Sequence, residues 1–395
     1  MSKKVTESVS WVGKVDWELE RFHGEEYITR KGSSYNAYLV RDEKTALIDT
    51  VWIPYAKEFV ARLREEIPLE KIDYIIANHG EIDHSGSLPE LMRLIPDTPI
   101  YCTANGVKSL RGQYHQDWNF QVVKTGDRLS LGSRELIFIE APMLHWPDTM
   151  FSYLTGENIL FSNDGFGQHY ASEFLFNDLV DQGELYTEAV KYYANILNPF
   201  SKQVERKIEE LLGLNLPIDM ICPSHGVIWR DHPTQIVEQY LKWSRAYQEN
   251  QVTILYDTMW ESTRKMAEAI ARGITQAAPD VTVKLFHTAK RDKTGIMAEV
   301  FKSKAVLVGS PTINRGILSS VAATLEEMRG LGFKNKKASA FGSYGWSGES
   351  VKMILQGLKA GGFELTDEGL RATWNPGEED VAACEEFGRK FAQTL

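Results

Sequence analysis

Cysteine is scarce in this sequence: Cys102, Cys222 and Cys384 are widely separated and odd in number. They form no CxxC pair, which argues against a thiolate metal cage and a disulfide framework and fits a reducing cytoplasm. Each reads as a buried small hydrophobe. Long apolar runs are missing too. No stretch of about 18 apolar residues exists to span a bilayer, so no membrane partner is expected. Residues 1–5 carry two lysines but no apolar segment follows, so no signal peptide is expected. There is no Lys/Arg-rich tract and the net charge is −10, which argues against nucleic acid and suits small molecules or protein partners.

What is present has the balance of a soluble globular chain, 43% hydrophobic and 25% charged, and 395 residues exceed one ordinary domain. The two parts follow different patterns. From Gly32 to Pro223, short β-branched runs alternate with loops and a few helices: residues 37–40, 46–48, 74–77, 100–102, 136–139, 159–161 and 220–222 read as strands, 56–66 and 88–94 as helices. This is a layered α/β domain. Residues 234–248 read as its closing helix and 249–251 as a linker. After it comes a regular strand–helix alternation, with strands near 252–256, 281–286, 305–308, 339–341 and 364–365. A helix at 263–276 carries Met266, Ala267, Ile270 and Ile274 on one stripe, and the last helix covers 379–393. Five such units imply a doubly wound parallel sheet. The expected division is 1–250 and 251–395.

The strand ends of the first part carry the chemistry. The strand at 74–77 runs into H-G-E-I-D-H, giving His79, Glu81, Asp83 and His84. The strand at 136–139 leads to His145, that at 159–161 to Asp164, and that at 220–222 to His225. Four histidines and three carboxylates exceed what one ion takes from protein, so a dinuclear site is expected. One arrangement gives each ion two histidines and one carboxylate, with the remaining carboxylate bridging and positions left open for a small substrate. In an extended loop, residues 79, 81 and 83 would share one side and His84 the other. His115 and His169 lack such company and read as surface or packing residues; His23 is undetermined.

In the second part, the strand at 252–256 runs through D-T-M-W-E-S-T straight into a helix. Thr258, Met259, Trp260, Ser262 and Thr263 thus surround a helix N-terminus, where an anion is favoured and where simple capping is the alternative. The loop has neither GxGxxG nor GxxxxGK and suits a mononucleotide phosphate. Two more strand ends lead to G-S-P-T-I-N-R-G, with Pro311, Thr312 and Asn314, and to G-S-Y-G-W-S-G, with Ser343, Tyr344, Gly345 and Trp346. Both lie where open α/β sheets bind ligands. Trp260, Tyr344 and Trp346 either flank a planar ring or belong to the core.

The pattern H-x-[EH]-x-D-H followed by distant His, Asp and His resembles the metallo-β-lactamase fold, an αββα sandwich. Glu81 stands where hydrolases of that superfamily usually have histidine, and in this the chain resembles the flavodiiron proteins. The Y-D-T-M-W-x-S-T and G-S-P-T-I-N loops, W-V-G-K-V-D-W near residue 11 and H-W-P-D-T at 145–149 resemble the same family, and the likeness runs from about Val12 to the C-terminus. It is strongest to the compact form without a fused rubredoxin. The resemblance implies a metallo-β-lactamase-like domain joined to a flavodoxin-like domain, two iron ions and FMN. It implies an enzyme that reduces O2 to water or NO to N2O with electrons from rubredoxin or a similar donor. It also implies a head-to-tail homodimer, or pairs of dimers, bringing one subunit's flavin to the other's iron, because the two sites of one chain lie far apart. Tyr193 is either a hydrogen-bond donor near the substrate or a core aromatic. The rival reading is a dizinc hydrolase with an accessory flavodoxin domain.

Overall fold

The computed structural model describes residues 2–395. The described residues form two compact units: residues 2–25, 29–193 and 200–241 make the first, and 26–28, 194–199 and 242–395 the second.

In the first unit a seven-stranded sheet runs in the order Lys3–Lys4, Val9–Trp11, Tyr38–Arg41, Thr45–Ile48, Tyr74–Ile76, Ile100–Cys102, Phe120–Val122. A five-stranded sheet runs Arg128–Ser130, Glu135–Glu140, Met150–Leu154, Ile159–Asn163, Met220–Pro223. Their inner faces share one core: Val9, Trp11, Tyr38, Val40 and Ile48 from the first sheet pack with Phe138, Met150, Leu154 and Phe161 from the second. Alternate residues of each strand supply those faces, as two packed sheets require. Helices such as Ala56–Glu66 bury Phe59, Val60 and Leu63. The architecture is the αββα sandwich.

The second unit has a parallel sheet ordered Thr282–His287, Glu249–Tyr256, Ser303–Gly309, Lys337–Tyr344, Glu364–Leu365, with Leu370–Thr373 also pairing to Lys337–Tyr344. Residues 249–251, expected as a linker, belong to an interior strand of it: Glu249 pairs with Ser303 and Gln251 with Thr282. The buried Gln251 amide is satisfied by the Glu299 carbonyl and Ser303 Oγ, so a polar side chain conceals a strand position. The preceding helix accordingly stops at Ser244.

The helix Ser262–Ala277 buries Met266, Ala267, Ile270 and Ile274 against this sheet. It crosses the last helix, Glu378–Ala392, at backbone contact. A Cβ on Gly388 would sit 2.2 Å from the Ile270 carbonyl oxygen, and one on Gly273 would sit 2.0 Å from that of Glu385. No helix among the described residues is long and apolar enough to cross a membrane.

Candidate functional site

The seven residues picked out at strand ends of the first unit come together in two groups. His79, Glu81, His145 and Asp164 each offer one ligand atom, all within 4.8 Å of one another, and Asp83, His84 and His225 do the same. Asp164 reaches both groups. Its Oδ2 lies 3.5 Å from His79 Nε2 and 3.3 Å from His145 Nε2, and its Oδ1 lies 2.9 Å from His84 Nε2 and 3.5 Å from His225 Nε2. Asp83 Oδ2 stands 3.1 Å from His84 Nε2 and 3.0 Å from His225 Nε2.

The local backbone differs from the extended loop expected for H-G-E-I-D-H. Residues Ile82–Ser85 form a single helical turn beginning after Glu81. That turn sends Asp83 and His84 to the same group, while His79 and Glu81 serve the other. A helix rotates successive residues by about 100°, whereas a strand would alternate them.

Two ligand strands are tied together from behind. Buried Asp49 accepts from Asn78 N at 2.8 Å, Asn78 Nδ2 at 3.0 Å and Asn163 Nδ2 at 3.2 Å, and these residues directly precede His79 and Asp164. The rings are aimed in the same way. His79 Nδ1 is 3.0 Å from Asp148 Oδ1, while Asp148 Oδ2 accepts Gly80 N at 2.8 Å. His225 Nδ1 is 2.7 Å from the Ser34 carbonyl oxygen. Each bond leaves Nε2 facing the centre.

The donor set fits a metal. Asp83 Oδ1 and Oδ2, His84 Nε2 and Asp164 Oδ2 are buried and make no hydrogen bond among the described residues, although nitrogen and oxygen approach closely. Atoms that converge on a point without pairing are arranged for an ion between them. The charges agree. Burial opposes the Asp164 carboxylate charge, but His84 and His145 outweigh it and hold Asp164 well below the usual range. Burial likewise opposes the imidazolium of His84 and of His145, yet Asp83 and Asp164 push His84, and Asp164 and Glu81 push His145, up to about 9. The pocket thus calls for positive charge at its middle.

Of the remaining histidines, His23 comes to the rim, with Nε2 at 3.2 Å from Glu81 Oε1. His169 is buried beside the centre, its Nδ1 2.8 Å from Ser33 Oγ and its ring 4.7 Å from that of His225. Tyr193 places its hydroxyl 3.0 Å from Ser201 Oγ and its ring 5.0 Å from that of Tyr240. It is the neighbouring Tyr192 whose ring stacks edge-on to His169 and lies 6.2 Å from His225. A π-helical turn over Tyr193–Leu197 follows directly and shifts the phase of the helix there.

In the second unit, a cavity of about 730 Å3 opens at the carboxyl ends of the strands. Thr258, Met259, Trp260, Ser262, Pro311, Thr312, Asn314, Ser343, Tyr344, Gly345 and Trp346 line it. Thr263 stands behind the wall, its Oγ1 3.1 Å from Ser343 Oγ. Arg315, Ser347, Trp374 and Asn375 also line it and escaped the sequence reading. Trp374 follows the short strand Leu370–Thr373, and its N–H bonds the Tyr344 carbonyl at 2.7 Å. Trp260, Trp346 and Trp374 are 86%, 88% and 65% exposed, an uncommon amount of bare aromatic surface around one opening. The Thr258 hydroxyl is buried with no hydrogen-bond partner among the described residues. Beside it begins the helix Ser262–Ala277, whose first N–H groups attract an anion. A hydroxylated anion site next to apolar planes fits a flavin mononucleotide.

A lactamase-like sandwich with a dinuclear donor set, joined to a flavodoxin-like sheet with a mononucleotide cavity, defines a flavin- and metal-dependent oxidoreductase class. Residues 34–226 match the ODP family beta lactamase model and 254–388 the flavodoxin model. The chain is 56% identical to the anaerobic nitric oxide reductase flavorubredoxin of Escherichia coli, over all of this chain and 82% of that protein. Among solved structures it resembles rubredoxin oxygen:oxidoreductase from Desulfovibrio gigas, with 39% identity and a TM-score of 0.96 over 100% of this chain and 98% of that one. The flavodiiron protein of Giardia intestinalis gives 34% identity and a TM-score of 0.95, over 100% of this chain and 96% of that one. The chain belongs to the flavodiiron protein family.

Proposed function

We propose that this protein is a diiron and FMN oxidoreductase that reduces O2 to water, NO to N2O, or both. The observation that carries the reading is Asp164 lying between two histidine and carboxylate groups, one oxygen toward each. His79, His145 and Glu81 would hold one iron, His84, His225 and Asp83 the other, and Asp164 would bridge. When bound, FMN accepts electrons from a donor and the iron pair delivers them to the gas.

The chain's own residues set the conditions for that chemistry. Asp148 and the Ser34 carbonyl orient His79 and His225, so two ligand rings are held before any ion arrives. Asp49 keeps two ligand loops in register. Burial of His79, His84, Asp83 and Asp164 keeps bulk water off the centre. In the flavin cavity, Thr258, Ser262 and the helix N-terminus would take the phosphate, while Trp260, Tyr344 and Trp346 would flank the ring.

Supporting iron over zinc is Glu81. An anionic oxygen donor suits a hard, redox-cycling ion better than a further imidazole does. The electron donor would be rubredoxin or a similar small redox protein. The working unit would be a cytoplasmic head-to-tail homodimer, and the functional division of the chain would fall near residue 250. Metal and flavin analysis of the purified protein, followed by anaerobic reduction and parallel turnover with each gas, tests the proposal. Two irons and one FMN per chain with gas consumption are expected. Stoichiometric zinc and no gas consumption would favour the dizinc hydrolase.

A further inference from the structure

We propose that His23 is a positioning residue that restricts Glu81 to a single metal-binding oxygen, keeping a coordination position open for the gas. The inference rests on the iron-ligand reading of Glu81. The two oxygens of this carboxylate face different ways. Oε2 points into the donor group, 3.3 Å from His79 Nε2 and 3.2 Å from His145 Nε2. Oε1 points outward to His23 Nε2 at 3.2 Å.

A carboxylate can bind a metal through one oxygen or two, and a partner on its second oxygen favours attachment through one. His23 engages it. Among the described residues no other group outside the donor set lies against the Glu81 carboxylate: Ser85 Oγ bonds the Glu81 carbonyl instead. His79, His145, Glu81 and Asp164 already offer four donor atoms to this ion. A second oxygen from Glu81 would occupy a further position and compete with the substrate.

The placement of His23 is built into the backbone. His23 and Gly24 both have left-handed φ, +51° and +69°, which turns the chain sharply at the edge of the site. Phe22 anchors that turn. It is buried and lies edge-on to His169 at 4.8 Å and to His225 at 5.8 Å, while its ring contacts His23 at 4.5 Å. The His23 side chain remains 34% exposed and that of Glu81 15%, so the pair lies at the rim of the site.

Two variants of the full protein separate the polar contact from bulk. His23→Phe keeps a ring and removes the donor; His23→Gln keeps a donor. Iron content, azide titration of the oxidised protein and crystal structures of the iron-loaded protein are the readouts. In His23→Phe, full iron content, both Glu81 oxygens on the ion and about tenfold weaker azide binding are expected. His23→Gln should restore one-oxygen attachment and the original azide affinity. One-oxygen attachment or unchanged azide affinity in His23→Phe would overturn the proposal, as would identical behaviour of the two variants. Loss of iron from His23→Phe would also overturn it, because the bond would then serve metal retention. Absence of iron from the unaltered protein would instead defeat the ligand reading itself.

Discussion

Replacing Asp148 by asparagine tests how far the centre depends on a residue that touches no ion. Asp148 is buried and takes His79 Nδ1 at 3.0 Å and Gly80 N at 2.8 Å on its two oxygens. Burial works against its charge, yet these bonds and the nearby His79 hold the carboxyl below its ordinary range. The carboxylate accepts, so the His79 hydrogen sits on Nδ1 and the Nε2 lone pair is free for a metal. An asparagine of the same size offers an NH2 group in its place. Turned toward His79, that group makes Nδ1 an acceptor and drives the hydrogen onto Nε2, the tautomer that does not ligate. Turned the other way, it leaves two N–H groups, the amide's and that of Gly80, facing each other. Loss of such a partner costs about tenfold to a hundredfold in metal affinity, or about 1.4 to 2.7 kcal/mol. Anaerobic titration of metal-free protein with ferrous iron against a competing chelator measures this directly. Flavin absorbance and the unfolding midpoint show that the fold is intact. Asp148→Asn protein that binds iron as tightly as the unaltered chain would refute the tautomer argument.

His79→Asn and Asp164→Ala should each abolish gas reduction while FMN stays bound, and Asp164→Ala should lower occupancy at both ions; flavin fluorescence and iron analysis check the pair. Gly388→Ala should destabilise the flavin unit by about 1–3 kcal/mol, because its Cβ meets the Ile270 carbonyl oxygen at 2.2 Å where two helices cross. Denaturant unfolding followed by flavin release reads this out, with iron content unchanged. Burial lowers the Lys336 ammonium from 10.5 to about 7, and the neutral amine still has two hydrogens for the Phe301 and Ser303 carbonyls at 2.7 and 2.6 Å. Between pH 7 and 10.5 the unfolded chain therefore keeps a proton that the folded chain has lost, so this residue makes stability rise with pH across that window. Denaturant midpoints from pH 7 to 9 should climb more steeply for the unaltered protein than for Lys336→Met, and equal slopes would contradict the assignment.

Most strand positions were legible because their apolar runs are short, β-branched and bounded by polar residues, as in Tyr74–Ile76 and Ile159–Asn163. The strand Glu249–Tyr256 begins three residues before its apolar run at 252–256. Its first residues are polar, and the partners of Gln251 come from distant residues, Glu299 on the helix Lys293–Lys302 and Ser303 on the adjoining strand. Trp374 was invisible for a related reason. Its strand, Leu370–Thr373, is short and largely solvent-facing, and what brings it to the cavity is parallel pairing with Lys337–Tyr344.

From the sequence alone came the chemistry of the centre and its location. Histidines and carboxylates placed directly after apolar strands must lie along sheet edges, where they can converge, and a motif of six residues is too short to scatter. Glycine, hydroxyl and tryptophan after parallel strands point by the same logic to residues that line the cavity of the second unit. Tertiary structure decided how those residues divide. Asp83 and His84 turn to one group because a helical turn starts after Glu81, and Asp164 faces both groups because Asp49 ties its loop to that of His79. It also decided which tyrosine faces the centre, since side-chain direction follows backbone rotation and a π-helical turn begins at Tyr193. Asp148 and His23 take their roles from distance alone. A hydrogen bond between residues 69 apart in the chain, as for His79 and Asp148, or a polar contact 58 apart, as for His23 and Glu81, leaves no periodic trace in the sequence.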